Sequence, residues 1–185
     1  MANNLNTPEA TLSFPVFKAP RPQGGVMGAK MVYSCALLFD PAAQKSPEYK
    51  AMQAACIEVA KAKFGPTVNL KSLQFPFRDA GEKDYAGYEN GFTYISPWSE
   101  QRPGIVDHNV EDILDVGSVY AGMKVRANVA PFAWANTGRK GVSFGLNHVQ
   151  VLKEGARIDG RVSADKAFGK VAAPAGADDD NDSPF

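Results

Sequence analysis

The sequence predicts a mainly β domain with a single α-helix, and three observations lead there. Two runs of period-two alternation, residues 123–134 and 142–152, flank the turn Asn136-Thr-Gly-Arg-Lys-Gly, which is the sequence form of a β-hairpin. Three more alternating runs, residues 11–17, 30–39 and 91–96, are separated by stretches rich in Pro, Gly or charge. One segment, opening at Ser46, has the spacing of a helix. Five strands that must close their edges make a small Greek-key barrel of the OB type, with long loops; a β-sandwich is the alternative.

Taken in order, residues 1–9 are polar and read as a flexible N-terminus. In Thr11-Leu-Ser-Phe-Pro-Val-Phe, strict alternation puts Leu12, Phe14 and Val16 on one face, and Pro15 marks an edge. A loop with Gly24, Gly25 and Gly28 follows, carrying Lys18, Arg21 and Lys30 along its length. The next strand aligns Met31, Tyr33, Cys35, Leu37 and Phe39, and nearly every residue in it is apolar or small, so it reads as central. Ser46 is an N-cap residue, Pro47 suits the first helical position, and Glu48 suits the positive end of the helix dipole. Tyr49, Met52, Cys56, Val59 and Ala60 recur at helical spacing until Gly65 and Pro66 end the helix. This helix covers one end of a core. It lies between the second and third strands, whereas the usual OB order places it between the third and fourth.

Residues 66–91 are irregular, after which Phe92 and Tyr94 alternate against Thr93 and Ile95 in a short strand. Trp98, Arg102 and the Pro103-Gly104 loop come next, and residues 110–116, with Glu111, Asp112 and Asp115, make a helical turn or loop. On the hairpin's first strand Met123, Val125, Ala127 and Val129 share one face, and Lys124, Arg126 and Asn128 share the other. Pro131 marks an edge or bulge, beyond which Phe132 and Trp134 continue the strand. Val142, Phe144 and Leu146 lie together on the second strand. Past Leu152 the pattern fades. The expected organisation is a domain over residues 10–162, a linker over 163–177 and a disordered acidic tail over 178–185.

The formal net charge of zero conceals an asymmetry: Asp178, Asp179, Asp180 and Asp182 lie in the last nine positions, which hold no Lys or Arg. The first 176 residues therefore carry all 20 basic side chains and 16 acidic ones, a balance of +4 that favours a polyanionic partner. No signal-peptide pattern and no apolar run of membrane-spanning length is present, so no membrane partner is expected. Cys35, Cys56, His108 and His148 are too far apart in sequence to suggest zinc, and the two cysteines read as buried thiols in a reducing cytoplasm. No cofactor is implied.

Two functional classes compete. A metal-dependent nuclease would draw on acidic clusters such as Asp107, Glu111, Asp112 and Asp115, or Asp79, Glu82 and Asp84, although scattered carboxylates on irregular chain are ordinary solvated surface. A nucleophile elbow, a P-loop and a dinucleotide loop are absent, so catalysis finds no motif. A single-strand binder needs exposed rings beside cations, because base–aromatic stacking supplies about 1–3 kcal/mol per base whatever the sequence. The candidates are Tyr94, Trp98, Phe132 and Trp134, with Lys18, Arg21, Lys30, Arg102, Lys124, Arg126, Arg139 and Lys140 for the phosphates. Core packing competes for every ring. A protein-binding adaptor is a third reading, and it draws on the tail, where four aspartates end in Phe185 with its own carboxylate.

Several blocks are similar to those of a known family. Arg102-Pro-Gly-Ile-Val-Asp, Tyr120-Ala-Gly-Met-Lys-Val-Arg-Ala-Asn-Val, Gly138-Arg-Lys-Gly and Gly145-Leu-Asn-His-Val-Gln-Val-Leu-Lys-Glu-Gly resemble a bacteriophage single-stranded DNA-binding family with an OB fold. The resemblance spans roughly residues 10–162 and departs at His148, where the family pattern would have Asn, and in the long 163–177 linker. It implies a non-enzymatic, sequence-independent binder of single-stranded DNA in phage replication or recombination, working in the host cytoplasm. It also implies that Asp178, Asp179, Asp180, Asp182 and Phe185 recruit phage or host replication proteins.

Overall fold

The structure, a computed structural model, describes residues 3–160 and 167–172. Among these residues, in chain order, are β1 (Leu5–Asn6), β2 (Ala10–Pro22), β3 (Met31–Phe39), α1 (Pro47–Phe64), β4 (Arg78–Asp79), β5 (Thr93–Ile95), β6 (Trp98–Ser99), β7 (Gly104–Val106), β8 (Lys124–Asn136) and β9 (Arg139–Lys153). β8 pairs with β2 on one side and β9 on the other, β2 pairs with β3, and β3 pairs with β6. β6 then pairs in parallel with β9, so β2, β3, β6, β9 and β8 form a ring. The closing strand is only two residues long, with Ser34 opposite Trp98 and Trp98 beside Gly145. β7 runs parallel to β9, and β5 with β4 extends the sheet from β3.

The hairpin of β8 and β9 has the turn its sequence demands. Asn136 pairs with Arg139 across a two-residue loop in which Thr137 (φ 44°) and Gly138 (φ 78°) are both left-handed, as a type I′ turn requires. Inside the ring Leu12, Leu37, Phe39, Ile95, Val125, Val129, Phe144 and Val149 are buried, each worth about 1.5–3 kcal/mol if removed from water entirely. α1 closes one end, presenting Met52, Cys56 and Ala60 four residues apart on its buried face. Its start is the one read from the sequence: Ser46 Oγ accepts the Tyr49 backbone N–H at 3.2 Å. At its end the Gly65 N–H returns to the Lys61 carbonyl at 2.9 Å. Cys35 and Cys56 are both buried, which pushes each thiol up to about 12 and leaves them unreactive at neutral pH.

Two expectations are corrected here. Leu5 and Asn6 of the expected flexible terminus belong to the sheet, and Thr7 is bonded to it. Leu5 pairs with Val129, and the Thr7 N–H donates to the Ala127 carbonyl at 2.9 Å while Thr7 Oγ1 accepts the Ala127 N–H at 3.0 Å. This polar segment is held there, with Thr7 buried and Asn6 exposed, because it satisfies the otherwise unpaired edge of β8. The expected Leu12–Phe14–Val16 face also breaks. A register shift between Ser13 and Val16 interrupts the alternation, Phe14 has φ 44° and is 56% exposed, and Phe17 is buried instead.

Candidate nucleic-acid interface

Residues opposite one another in a sheet point to the same side, so the register defines the ring's outer face. β3 sends Cys35, Leu37 and Phe39 into the core, which leaves Ser34, Ala36 and Leu38 outward. Trp98 is opposite Ser34, Gly145 is beside Trp98, and Ala130 is opposite Gly145; all face out. Phe132 and Trp134 follow Ala130 on the same side of β8. The rings of Trp98 and Phe132 meet edge-on, 5.7 Å between centroids and 88° between planes. Both are partly buried. Trp134 is held by its indole N–H, which donates to Ser143 Oγ at 3.0 Å. Gly141 is required beneath it, because a Cβ there would lie 2.7 Å from Trp134 Cζ2 and 2.6 Å from the Gln74 carbonyl oxygen. Gly145 leaves the step between Trp98 and Ala130 open, since a Cβ would meet nothing closer than 3.6 Å.

Alongside these rings lies a polar cleft of about 420 Å³ lined by Asn4, Gln101, Arg102, Asn128, Asn147 and His148, among others. Asn147 Nδ2 donates to Asn128 Oδ1 at 2.9 Å, and Asn128 Nδ2 donates to Asn6 Oδ1 at 2.8 Å, which orients the amides. His148 Nδ1 accepts the Gly104 N–H at 3.2 Å. Arg102 is exposed at the rim, and Arg126 is exposed farther along β8, its Nε donating to Gln150 Oε1 at 2.6 Å. Rings, amides and guanidiniums on one face offer stacking, base or sugar hydrogen bonds, and phosphate contacts respectively. The amides were not among the candidates from sequence. Asn4 and Asn6 reach the site only through β1, and Asn147 through a register shift in the hairpin.

The remaining candidates are dispersed. Lys140 pairs with Ala135, on the opposite side from Trp134, and its ammonium sits 5.4 Å from the Phe64 ring centroid at the end of α1. It does not join the rings. Arg139, opposite Asn136, is exposed at the tip. Lys124 lies at the far end of β8 and donates to Thr11 Oγ1 at 2.6 Å. Lys30 is taken up by Glu100 at 2.7 Å, an exposed pair of little energetic weight that ties the β2–β3 loop to the segment after Trp98. Lys18 and Arg21 are exposed on β2. Tyr94 faces outward but is only 7% exposed, covered by Tyr88 at 5.4 Å. The acidic candidates serve as turn caps: Asp79, Asp107 and Asp115 accept backbone N–H groups of Gly81, Asn109 and Gly117 at 2.8–3.0 Å. Among the described residues no three His, Cys, Asp or Glu side chains gather at one point, and no helix is long and apolar enough to cross a membrane.

A closed ring of strands whose outer face carries rings, amides and guanidiniums has the groups that nucleic-acid-binding proteins use. More particularly, the chain belongs to the family of the Enterobacter phage Enc34 ssDNA-binding protein, whose family model matches residues 5–182. The fold is similar to that of the single-stranded DNA-binding protein from bacteriophage Enc34 in complex with ssDNA, at a TM-score of 0.70 and 20% identity over 83% of this chain and 88% of that one. A second structure of the single-stranded DNA-binding protein from bacteriophage Enc34 gives a TM-score of 0.67 and 19% identity over 90% of each chain. The single-stranded DNA-binding protein gp2.5 of bacteriophage T7 is also similar, at 0.60 and 16% identity, over 87% of this chain and 97% of that one. No curated protein sequence matches this chain. The family and these neighbours are named as single-stranded DNA-binding proteins.

Proposed function

We propose that this protein binds single-stranded DNA, without sequence preference, across the outer face of an OB-type barrel during phage replication or recombination in the host cytoplasm. The observation that carries the reading is the Trp98–Phe132 pair beside the Arg102 and asparagine cleft, in a chain of the Enc34 family. Two partly exposed rings stack bases of any identity, and Arg102 and Arg126 meet the phosphates. The barrel assignment rests on the ring of five strands and on α1 closing one end. The tail at residues 178–185 lies outside the described residues. We assign it recruitment of replication proteins through Phe185, and competition with DNA through its four carboxylates, which act as phosphate mimics at a high effective concentration.

A gel-shift comparison of labelled single-stranded and duplex DNA, with and without magnesium, tests the main reading. Strong preference for the single strand and no cleavage are expected. Equal affinity for the duplex would refute it, and magnesium-dependent cleavage would make the protein a nuclease. Deleting residues 178–185 is expected to tighten single-strand binding at low salt, with the gain fading as salt rises.

A further inference from the structure

The outer face holds a second group of rings that the Trp98 site does not use. Phe14 sits at φ 44°, a backbone conformation costly for any residue with a Cβ and an outlier for a bulky one. Its bulge turns the ring out of the core, and the ring is left 56% exposed. Tyr85, 51% exposed, meets it edge-on at 5.2 Å. Tyr88 stands 5.3 Å from Tyr85, and buried Tyr94 backs Tyr88 at 5.4 Å. Together they surround a cavity of about 600 Å³ that Ser34 and Ala36 of β3 also line, with Lys83 among its residues. A second cleft of about 710 Å³ also includes Phe14 and Tyr85, and Arg21 lines it. Arg157 lines that cleft too but is paired with Asp159 at 3.0 Å, and Asp84 adds a negative charge, so Arg21 and Lys83 are the cations offered.

The two groups of rings are continuous along one strand. Tyr94 is opposite Leu38 and Trp98 is opposite Ser34, four residues apart on the outward side of β3, or about 13 Å. Ser34, at the Trp98 end, is itself part of the lining of the Phe14 cavity. Tyr88 and Tyr94 pack with Ala36, Leu38 and Ala80, so the rings left open to a ligand are Phe14 and Tyr85.

We propose that the Phe14–Tyr85 cavity is a second base-binding pocket, taking a base of the same strand that Trp98 and Phe132 hold and placing its phosphates near Arg21 and Lys83. This rests on the single-strand reading of the Trp98 face. The pocket extends the binding site from the β6–β9–β8 side of the ring to the β2–β3 side, so its contribution depends on the length of the strand bound.

The test is Phe14→Gly, which removes the ring and relieves the positive φ in one change. Thermal midpoint is expected to hold or rise. Affinity for a long oligothymidylate, about 16 nucleotides, is expected to fall about 5- to 100-fold, while affinity for a short one of about 4 nucleotides is unchanged. Undiminished affinity for the long strand would overturn the pocket, as would an equal loss at both lengths. Should Phe14→Gly fail to fold, Tyr85→Leu, which keeps an apolar side chain but no ring, decides by the same length dependence. Quenching of tryptophan fluorescence in the unaltered protein by the short strand reads the Trp98 face separately. Without quenching, the face and the pocket that rests on it are both refuted. With quenching, a length-independent result for the variants refutes the pocket alone.

Discussion

Two chains of four aromatic rings run through this protein, one inside and one outside. The inner chain is Phe39, Tyr49, Phe77 and Phe144, with centroid separations of 5.2, 5.2 and 5.8 Å; it links β3, α1, the segment before β4, and β9. The outer chain is Phe14, Tyr85, Tyr88 and Tyr94, at 5.2, 5.3 and 5.4 Å. Ring geometry is nearly the same in both, mostly edge-on as the aromatic quadrupole prefers. What differs is where each chain ends. The inner one runs from Phe39, fully buried, to Phe144, 1% exposed, and the Tyr49 hydroxyl shares a hydrogen bond with Thr93 Oγ1 at 2.7 Å. The outer one begins buried at Tyr94 and finishes in water at Phe14 and Tyr85. Burial raises the pKa of both Tyr49 and Tyr88, so the buried part of the outer chain resembles the core. Ring clustering alone does not tell a core from an exposed face; the open end is what distinguishes them.

The largest expected effect lies inside. Phe144→Ala opens a cavity in the inner chain and should cost about 3–5 kcal/mol in denaturant unfolding, while the molecules that remain folded bind DNA normally. A loss below about 1 kcal/mol would mean that the inner chain is not what holds the ring closed around α1. Next comes Trp98→Ala, which should weaken single-strand binding by about 1–3 kcal/mol in a titration, with a much smaller change in melting. If melting falls steeply and affinity per folded molecule holds, Trp98 belongs with the inner rings.

The smallest effects separate the two faces by charge. Arg102→Ala with Arg126→Ala should make the log–log salt dependence of single-strand binding shallower by about 1.4, on the basis of about 0.7 per phosphate contact. Lys140→Ala should leave that slope unchanged and cost no more than about 1 kcal/mol of stability, because its ammonium faces Phe64 and not the outer rings. A slope that responds to Lys140 and ignores the arginines would put the DNA on the helix side.

The long elements could be read from the sequence because each has a local cause. Ser46, Pro47 and Gly65 bound α1, and Thr137-Gly138 supplies the left-handed turn that sets the β8–β9 register. The outward direction of Phe132 and Trp134 follows from that register. Lys140, next to Arg139 at the tip, lies on the other side from Trp134, because adjacent residues in a strand face opposite ways. Phe14 was misplaced because a bulge inserts residues without changing the alternation of the letters around it.

By itself, then, the sequence marked the longer strands, where the one long helix starts and stops, and which residues can stack or carry charge. Those properties depend on neighbours within a few positions. The tertiary structure alone decided that Trp98 and Ser99 close the ring, a strand too short for any periodicity to announce. It alone brought Asn4 and Asn6 to Asn147 and Asn128, over a hundred residues away, and Tyr85 to Phe14, 71 residues away. Such pairings depend on register and on which edge is left unpaired, and those are properties of the assembled sheet.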